Sequence, residues 1–163
     1  MYHAMVEKRV RALFDAVSHG DAEPVLRAFA RRFEHCFLGE NHALGGSRHT
    51  LAATREWYDR LYRLLPDIAF EVRRVRVSGS PWNTTVVAEW TETNSGTDGV
   101  RTSNRGIHVL HLRWGRATRL IICPDTVALK ATLDRLAIAG QSEAHAAPLL
   151  DRDSRIGGRS PGD

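Results

Sequence analysis

The sequence predicts an α+β fold, with helices packed on one face of an antiparallel sheet. Two observations carry this prediction. Apolar residues recur with a helical period through most of residues 2–65, and after Pro66 they alternate with a period of two, as in strands. Short turns then separate four consecutive strand-like segments, which is typical of an antiparallel meander.

The first helix is predicted from a stripe of apolar residues on one face, and Gly20 ends it. Asp21 then caps a second, short helix that has Pro24 in its first turn. The apolar stripe of the first helix consists of Val6, Val10, Leu13, Phe14 and Val17.

A strand, a glycine-rich loop and an amphipathic helix follow in this order. The strand alternates so that Phe33, His35 and Phe37 share one face. The helix ends at Pro66, because proline cannot continue it. The strand is predicted at residues 33–38, the loop at 39–47 and the helix at 48–65.

Four strands and a last helix complete the predicted domain. Turn sequences rich in Gly, Ser and Asn separate the strands. Leu129, Leu133 and Leu136 have helical spacing, and Gly140 follows as an end signal. The strands are predicted at residues 68–78, 84–93, 101–114 and 118–123, and the helix at 125–139.

Composition divides the chain into a domain of residues 1–140 and a tail of residues 141–163. The tail is rich in Gly, Ser, Pro and charged residues, so it is expected to be flexible. Its few apolar anchors are Leu149, Leu150 and Ile156. Deleting the tail is therefore expected to leave the melting temperature nearly unchanged.

The charge of the chain does not indicate a nucleic-acid-binding protein. The formal net charge is +4, and the basic residues are 21 Arg and 2 Lys. The arginines are spread from Arg9 to Arg159, whereas a phosphate-binding face usually shows a local cluster interleaved with aromatic residues.

The sequence predicts no association with a membrane. No run of about 18 apolar residues indicates a membrane-spanning helix. Charged residues interrupt the N-terminal segment where a signal peptide would be apolar, so a cytoplasmic location is expected. Cys36 and Cys123 lack the spacing of a metal site and are expected to be reduced thiols.

The strand at residues 101–114 carries apolar side chains on both faces. Leu110 and Leu112 lie on one face, and Ile107 and Val109 lie on the other. A sheet with one solvated face would alternate cleanly between apolar and polar residues. One face is expected to pack on the helices and the other on a second copy of the chain, so the sequence predicts a homodimer.

The order of these elements resembles the nuclear transport factor 2-like superfamily, and within it the SnoaL-like and ketosteroid-isomerase-like proteins. The resemblance covers residues 2–140 and rests on three segments, Ala16–Gly39, Gly45–Leu61 and Gly106–Thr126. It implies a cone-shaped α+β barrel, in which a curved antiparallel sheet wraps around three main helices and a short C-terminal helix follows. It further implies an apolar pocket, commonly in a dimer.

The resemblance also implies where acid and base groups would lie. A base on the first strand of ketosteroid-isomerase-like members falls at His35 or Cys36, and a hydrogen-bond donor on a late strand falls near His108. Other catalytic positions of the superfamily hold apolar residues in this chain. These are Leu13, Ile121 and Ile122.

The two histidines are the candidate catalytic residues. An imidazole between Phe33 and Phe37 is a base suited to neutral pH, and we expect His35 to take a proton from a carbon beside a carbonyl. His108 would donate a hydrogen bond to the resulting enolate. The alternative for both is a core histidine that only satisfies a neighbouring polar group.

Large aromatic residues are the first candidates for binding a ligand. Trp57, Tyr58 and Trp90 suit either a pocket wall or the core.

Three charged residues are also candidate ligand contacts. Glu89 and Arg105 are expected to form a cross-strand ion pair, at the pocket or at the surface. Asp125 either contacts the ligand or caps the last helix.

No metal or cofactor is expected. Glu40, His42 and His49 flank the glycine-rich loop, but their spacing matches no zinc pattern. Cys36 lies on the opposite strand face from His35, which argues against an activated thiol nucleophile.

Two classes of function remain open. The first is a cofactor-independent isomerase, cyclase or lyase that moves protons on an apolar carbonyl compound. The second is a dimer that binds a ligand or a partner without catalysis.

Overall fold

The computed structural model describes residues 1–151, and the predicted helices and strands are present in the predicted order. The helices are α1 (Tyr2–Ser18), α2 (Glu23–Ala28), α3 (Leu51–Leu64) and α4 (Thr126–Ile138), with a 3-10 turn at Ser142–His145. The strands are β1 (Phe29–Phe37), β2 (Gly46–Arg48), β3 (Ala69–Ser80), β4 (Asn83–Asn94), β5 (Thr102–Arg113) and β6 (Arg116–Pro124).

The strands form one curved, mixed sheet in the order β2-β1-β6-β5-β4-β3. The meander from β3 to β6 is antiparallel, as predicted. The expectation of an antiparallel sheet is wrong at one place, because β1 pairs with β6 in parallel. Local alternation along a strand cannot reveal this, since nearly half of the chain separates the two strands.

The helices pack on the concave face of the sheet, which confirms the predicted α+β cone. The α1 stripe is buried as expected, and Phe14 lies against Phe70 of β3 with ring centroids 5.4 Å apart. Thr50 begins α3, because its side chain accepts a hydrogen bond from the backbone N–H of Ala53. None of the described helices is long and apolar enough to cross a membrane.

Residues 141–151 pack against the domain through specific contacts. Ala144 is buried, and the carboxylate of Glu143 accepts hydrogen bonds from Arg63 at 2.6 and 2.9 Å. The Asp151 carboxylate accepts from the backbone N–H of His49 at 2.9 Å.

The expectation of a flexible tail from residue 141 is therefore corrected for residues 141–151. Their composition is that of a loose segment, but charged side chains and backbone carbonyls attach them to α3 and to Arg48 and His49. Ile156 and the rest of the predicted tail lie outside the described residues.

Candidate functional site

A cavity lies between the inner face of the sheet and helices α1, α3 and α4. The centre of a water molecule can occupy a volume of about 90 Å³ there. Measured in the same way, about 10–15 Å³ is enough for one water molecule. The space therefore fits a small organic molecule. Four of the predicted site residues line it, namely Trp57, Tyr58, Trp90 and His108.

Strand alternation decides which side chains of β4 and β5 reach the cavity. Trp90 and Glu92 of β4 are buried on the inner face. Their partners on β5 are Gly106 and Asn104, and His108 lies two residues beyond Gly106 on the same face. These two strands supply most of the polar groups on the cavity surface.

Trp90 holds the imidazole of His108. The indole N–H donates to Nδ1 at 2.7 Å, so the proton of the neutral ring lies on Nε2. Gly106 makes room for this contact, because a Cβ there would come within 2.8 Å of the indole ring. Burial lowers the pKa of His108 to about 3. The ring is therefore neutral and carries its proton on Nε2.

Glu92 is a cavity residue that sequence reasoning missed. Its side chain is 5% exposed, and the Asn94 amide donates to its carboxylate at 2.6 Å. Burial raises the pKa of Glu92 to about 7, against the smaller lowering effect of Asn94. The signal was available, since Glu92 is two residues from Trp90 and must share its face.

His35 is buried at 0% exposure, behind the rings of Trp57 and Tyr58. Its Nδ1 accepts a hydrogen bond of 2.7 Å from Arg48, which has only donors, so Nε2 carries the proton. Burial, with Arg48 and His108 adding to it, lowers the pKa of His35 well below its usual value. A ring with Nδ1 engaged and Nε2 protonated is a donor, which corrects the expected role of His35 as a base.

Glu89 and Arg105 lie on the outer face of the sheet, away from the cavity. Glu89 pairs in register with Ile107, and its carboxylate is 3.9 Å from Arg74. Arg105 is exposed and lies opposite Thr91. The expected ion pair between Glu89 and Arg105 is wrong, because the register separates them by two residues.

Asp125 is the N-cap of α4 and does not line the cavity. Its carboxylate accepts from the backbone N–H groups of Val127 and Ala128, both at 3.1 Å. Of the two alternatives left open by the sequence, the capping role is the one present.

Within residues 1–151, no three His, Cys, Asp or Glu side chains are grouped to hold a metal ion. His42 instead contacts the carbonyl of Leu38 at 3.1 Å, and His49 contacts Asp151 at 2.9 Å. Cys36 and Cys123 are half-buried free thiols.

Comparison with known families settles what kind of domain this is. The SnoaL-like domain family matches residues 10–120, which is more than half of the chain. The chain belongs to this family. Comparison with curated protein sequences finds no match.

Solved structures similar to this SnoaL-like protein share its fold at low sequence identity. An NTF2-like protein of unknown function from Burkholderia pseudomallei K96243 is 19% identical, with a TM-score of 0.70 over 78% of this chain and 95% of the other. TerC, co-crystallised with polyporic acid, is 21% identical, with a TM-score of 0.69 over 79% and 98%. PrhC from Penicillium brasilianum NBRC 6234 is 13% identical, with a TM-score of 0.74 over 88% and 95%.

The polar groups of this SnoaL-like protein are divided between two parts of the cavity. Glu92 and His108 lie on the strand wall and face the space directly. His35 and Arg48 lie one side-chain layer behind the aromatic wall of α3. Among the titratable residues, Glu92, His108 and Tyr58 line the cavity, and His35 and Arg48 do not.

Proposed function

We propose that this SnoaL-like protein binds an apolar carbonyl compound in the cavity and moves a proton on it without a cofactor. Glu92 serves as the base and then as the acid, and His108 stabilises the negative oxygen that forms between the two steps. The observation that carries the proposal is a buried carboxyl and a neutral imidazole donor on the wall of one apolar cavity.

Glu92 has the properties of a general base. A carboxyl whose pKa is about 7 is ionised in a large fraction of molecules at neutral pH and is still basic enough to accept a carbon-bound proton. The amide of Asn94 fixes the orientation of the carboxylate. An ordinary surface carboxylate has neither property.

The register of the strands indicates the shape of the substrate. His108 lies opposite Ala88, four residues along β4 from Glu92, which corresponds to about 13 Å of strand. The two side chains therefore contact different parts of a ligand rather than each other. When Glu92 removes a proton from a carbon of the ligand, the negative charge can reach a ligand oxygen near His108 only if that carbon and that oxygen are conjugated.

The proposed reaction balances without another reactant. The Glu92 carboxylate takes a proton from a carbon conjugated with the carbonyl, and the C–H electron pair moves through the conjugated system to the oxygen. Nε2–H of His108 donates to that enolate oxygen. The Glu92 carboxyl then returns the proton to another carbon, which gives an isomer of the ligand.

Similarity supports the binding part of this proposal. TerC was co-crystallised with polyporic acid, so a protein with this fold was studied together with an organic acid. The cavity of the present protein has mostly apolar and aromatic walls, which suit a ring compound.

We also propose a second copy of the chain as its partner, bound through the outer face of the sheet. An apolar row crosses four strands in register, formed by Val87, Val109, Ile121 and Cys36. Arg76 of β3 pairs with Val87 at one end of this row, and Glu34 of β1 lies near the other end. Glu34 is itself paired with Arg119 at 2.8 Å. A two-fold axis along the strands would stack the apolar rows of two copies, with the β3 end of one copy against the β1 end of the other.

Deuterium exchange tests the catalytic proposal. The protein is incubated with cyclohex-2-enone in D₂O, and incorporation of deuterium at the carbon conjugated with the carbonyl is followed by NMR. We expect a protein-dependent rate that rises with pH and levels off above about pH 7, because Glu92 must be ionised. Glu92→Gln should lower that rate at least ~100-fold, whereas Glu89→Gln on the outer face should not change it.

Full activity of Glu92→Gln would contradict the assignment of the base. Binding of cyclohex-2-enone without exchange above the rate in buffer would replace the catalytic proposal by the ligand-binding alternative. That alternative uses the same cavity, with His108 and Glu92 only orienting the ligand.

A further inference from the structure

Arg48 is a fully buried cation without a carboxylate partner among residues 1–151. Its side chain is 0% exposed. Nη1 donates to His35, Nη2 to the carbonyls of Gly45 and Gly46 at 2.8 and 2.9 Å, and Nε to the carbonyl of Leu149 at 2.9 Å. Every hydrogen-bond acceptor is neutral. The carboxylate of Asp151 raises the pKa of Arg48 from a distance, without a direct contact.

Arg60 shows what the usual arrangement would be. It is 8% exposed and donates to the carbonyls of Ala43 and Ala147 at 2.9 and 2.7 Å, much as Arg48 does. Unlike Arg48, it also has a carboxylate, Glu143, at 3.2 Å. Burying a charge costs several kcal/mol unless it is paired, so the missing carboxylate at Arg48 calls for a functional explanation.

The charge of Arg48 lies directly behind one end of the cavity. Its guanidinium carbon is 5.5 Å from the ring centre of Trp57, which lines the cavity. Burial lowers the pKa of Arg48 only to about 10, so the group is charged at neutral pH. In a buried, low-dielectric setting such a charge acts across one layer of side chains.

Two donors without partners lie at the same end. The buried Nε2–H of His35 has no hydrogen-bond partner among the described residues. The hydroxyl of Tyr58, which lines the cavity, makes no hydrogen bond within residues 1–151 either. The His35 ring packs on Tyr58 and on Trp57, with centroids 5.6 and 4.6 Å apart.

We infer that the Trp57–Tyr58 end of the cavity binds a negatively charged oxygen of the ligand, a carboxylate or phenolate, with Arg48 as its fixed counter-charge. The Tyr58 hydroxyl donates to that oxygen, and the Nε2–H of His35 adds a positive dipole from behind the aromatic wall. Arg48 keeps His35 in the tautomer that donates. This inference rests on the proposed function, because it concerns the same cavity and adds the charge of the ligand.

The test compares benzoate with benzamide, which have nearly the same shape and differ in charge. Each is titrated into isotope-labelled protein at about pH 6, and affinity is read from NMR shifts. At this pH Glu92, whose pKa is about 7, is mostly protonated and does not repel the anion, and both buried histidines are neutral. We expect benzoate to bind at least ~10-fold more tightly than benzamide to the unmodified protein.

Three variants locate the source of this preference. Arg48→Met keeps an apolar side chain against Trp57 and removes the charge, so it should abolish the preference for benzoate and leave benzamide affinity within about two-fold. Arg48→Lys should retain part of the preference. Arg60→Met, at the other buried arginine, should retain all of it.

The inference is overturned if folded Arg48→Met binds the two probes in the same ratio as the unmodified protein. If Arg48→Met does not fold, the unmodified protein alone still tests the inference. Benzamide that binds to it as tightly as benzoate, or more tightly, overturns the inference. Absence of a benzoate preference in unmodified protein that still exchanges the ketone contradicts this inference alone. Selective benzoate binding without ketone exchange contradicts only the catalytic proposal.

Discussion

Glu89 and Glu92 are three residues apart on β4 and have opposite surroundings. Glu89 lies on the outer face with its side chain 46% exposed and its carboxylate 3.9 Å from Arg74. Glu92 lies on the inner face, 5% exposed, with the amide of Asn94 as its hydrogen-bond partner. Burial raises the pKa of Glu92 to about 7.

The comparison shows that the face of the strand, and not the type of residue, makes a carboxyl useful for acid–base chemistry. An exposed carboxylate keeps its hydration and has little reason to hold a proton at neutral pH. A carboxyl turned into an apolar cavity loses that hydration and holds its proton more strongly. A deletion or substitution that lets water reach the inner face should therefore change the acid–base behaviour of its carboxyl. A similar change on the outer face should have little effect.

The largest loss in the free energy of unfolding should come from removing residues 146–151, which cover one end of the inner face. In this segment the carbonyl of Leu149 accepts from Arg48, and that of Ala147 accepts from Arg60. Each buried donor left without its acceptor costs about 1–3 kcal/mol. We expect removal of residues 146–151 from a chain that ends at residue 151 to lower the free energy of unfolding by about 4 kcal/mol, measured by urea denaturation.

A loss below about 1 kcal/mol would contradict this expectation and would restore the sequence-based view of a loose segment. The unmodified and shortened chains are compared at one pH and salt concentration, so that only the covering segment differs.

The next largest effect concerns pH. Glu92 ionises at about 4.5 when the chain is unfolded and at about 7 in the fold, so the folded state holds a proton that the unfolded state loses between these values. Stability from this group is thus fully present below about pH 4.5 and is lost as pH rises through about 7. The shift corresponds to about 3 kcal/mol. Relative to the unmodified protein, Glu92→Gln should gain about that much between about pH 4.5 and pH 8 in thermal or urea unfolding.

Glu89→Gln is the matched control on the outer face of the same strand. Its stability difference from the unmodified protein should be nearly the same at both pH values. Parallel curves for Glu92→Gln and the unmodified protein would mean that Glu92 is hydrated, and the proposed base would then have to be abandoned.

Sequence periodicity was sufficient to predict the fold class and most of its elements. The change of period after Pro66 indicated the meander, and Gly140 marked the end of α4. The parallel pairing of β1 with β6 was missed, because it depends on contacts between distant parts of the chain. Strand β2 has three residues and leaves no periodic signal.

The candidate site was predicted in part. Strand alternation placed His35 inside and Cys36 outside, as found. Because side chains alternate along a strand, Glu89 and Trp90 lie on opposite faces of β4 and cannot line the same pocket. Applied to both residues, this alternation would have selected Glu92 in place of Glu89. The role of His35 was beyond the sequence, because it depends on the proton assignment that the contact with Arg48 imposes.

The smallest effect on the fold should come from the outer face, where we expect a change in association instead. Ile107 is 36% exposed and lies next to the apolar row of the proposed dimer interface. Ile107→Lys should change the free energy of unfolding of the single chain by about 0.5 kcal/mol or less, since an exposed position needs little repacking. Light scattering should give about twice the chain mass of 18.2 kDa for the unmodified protein and the mass of one chain for the variant, because two buried lysines would face each other across the axis. A mass of one chain for the unmodified protein at micromolar concentration would contradict the dimer and leave the apolar row as an ordinary solvent-facing surface.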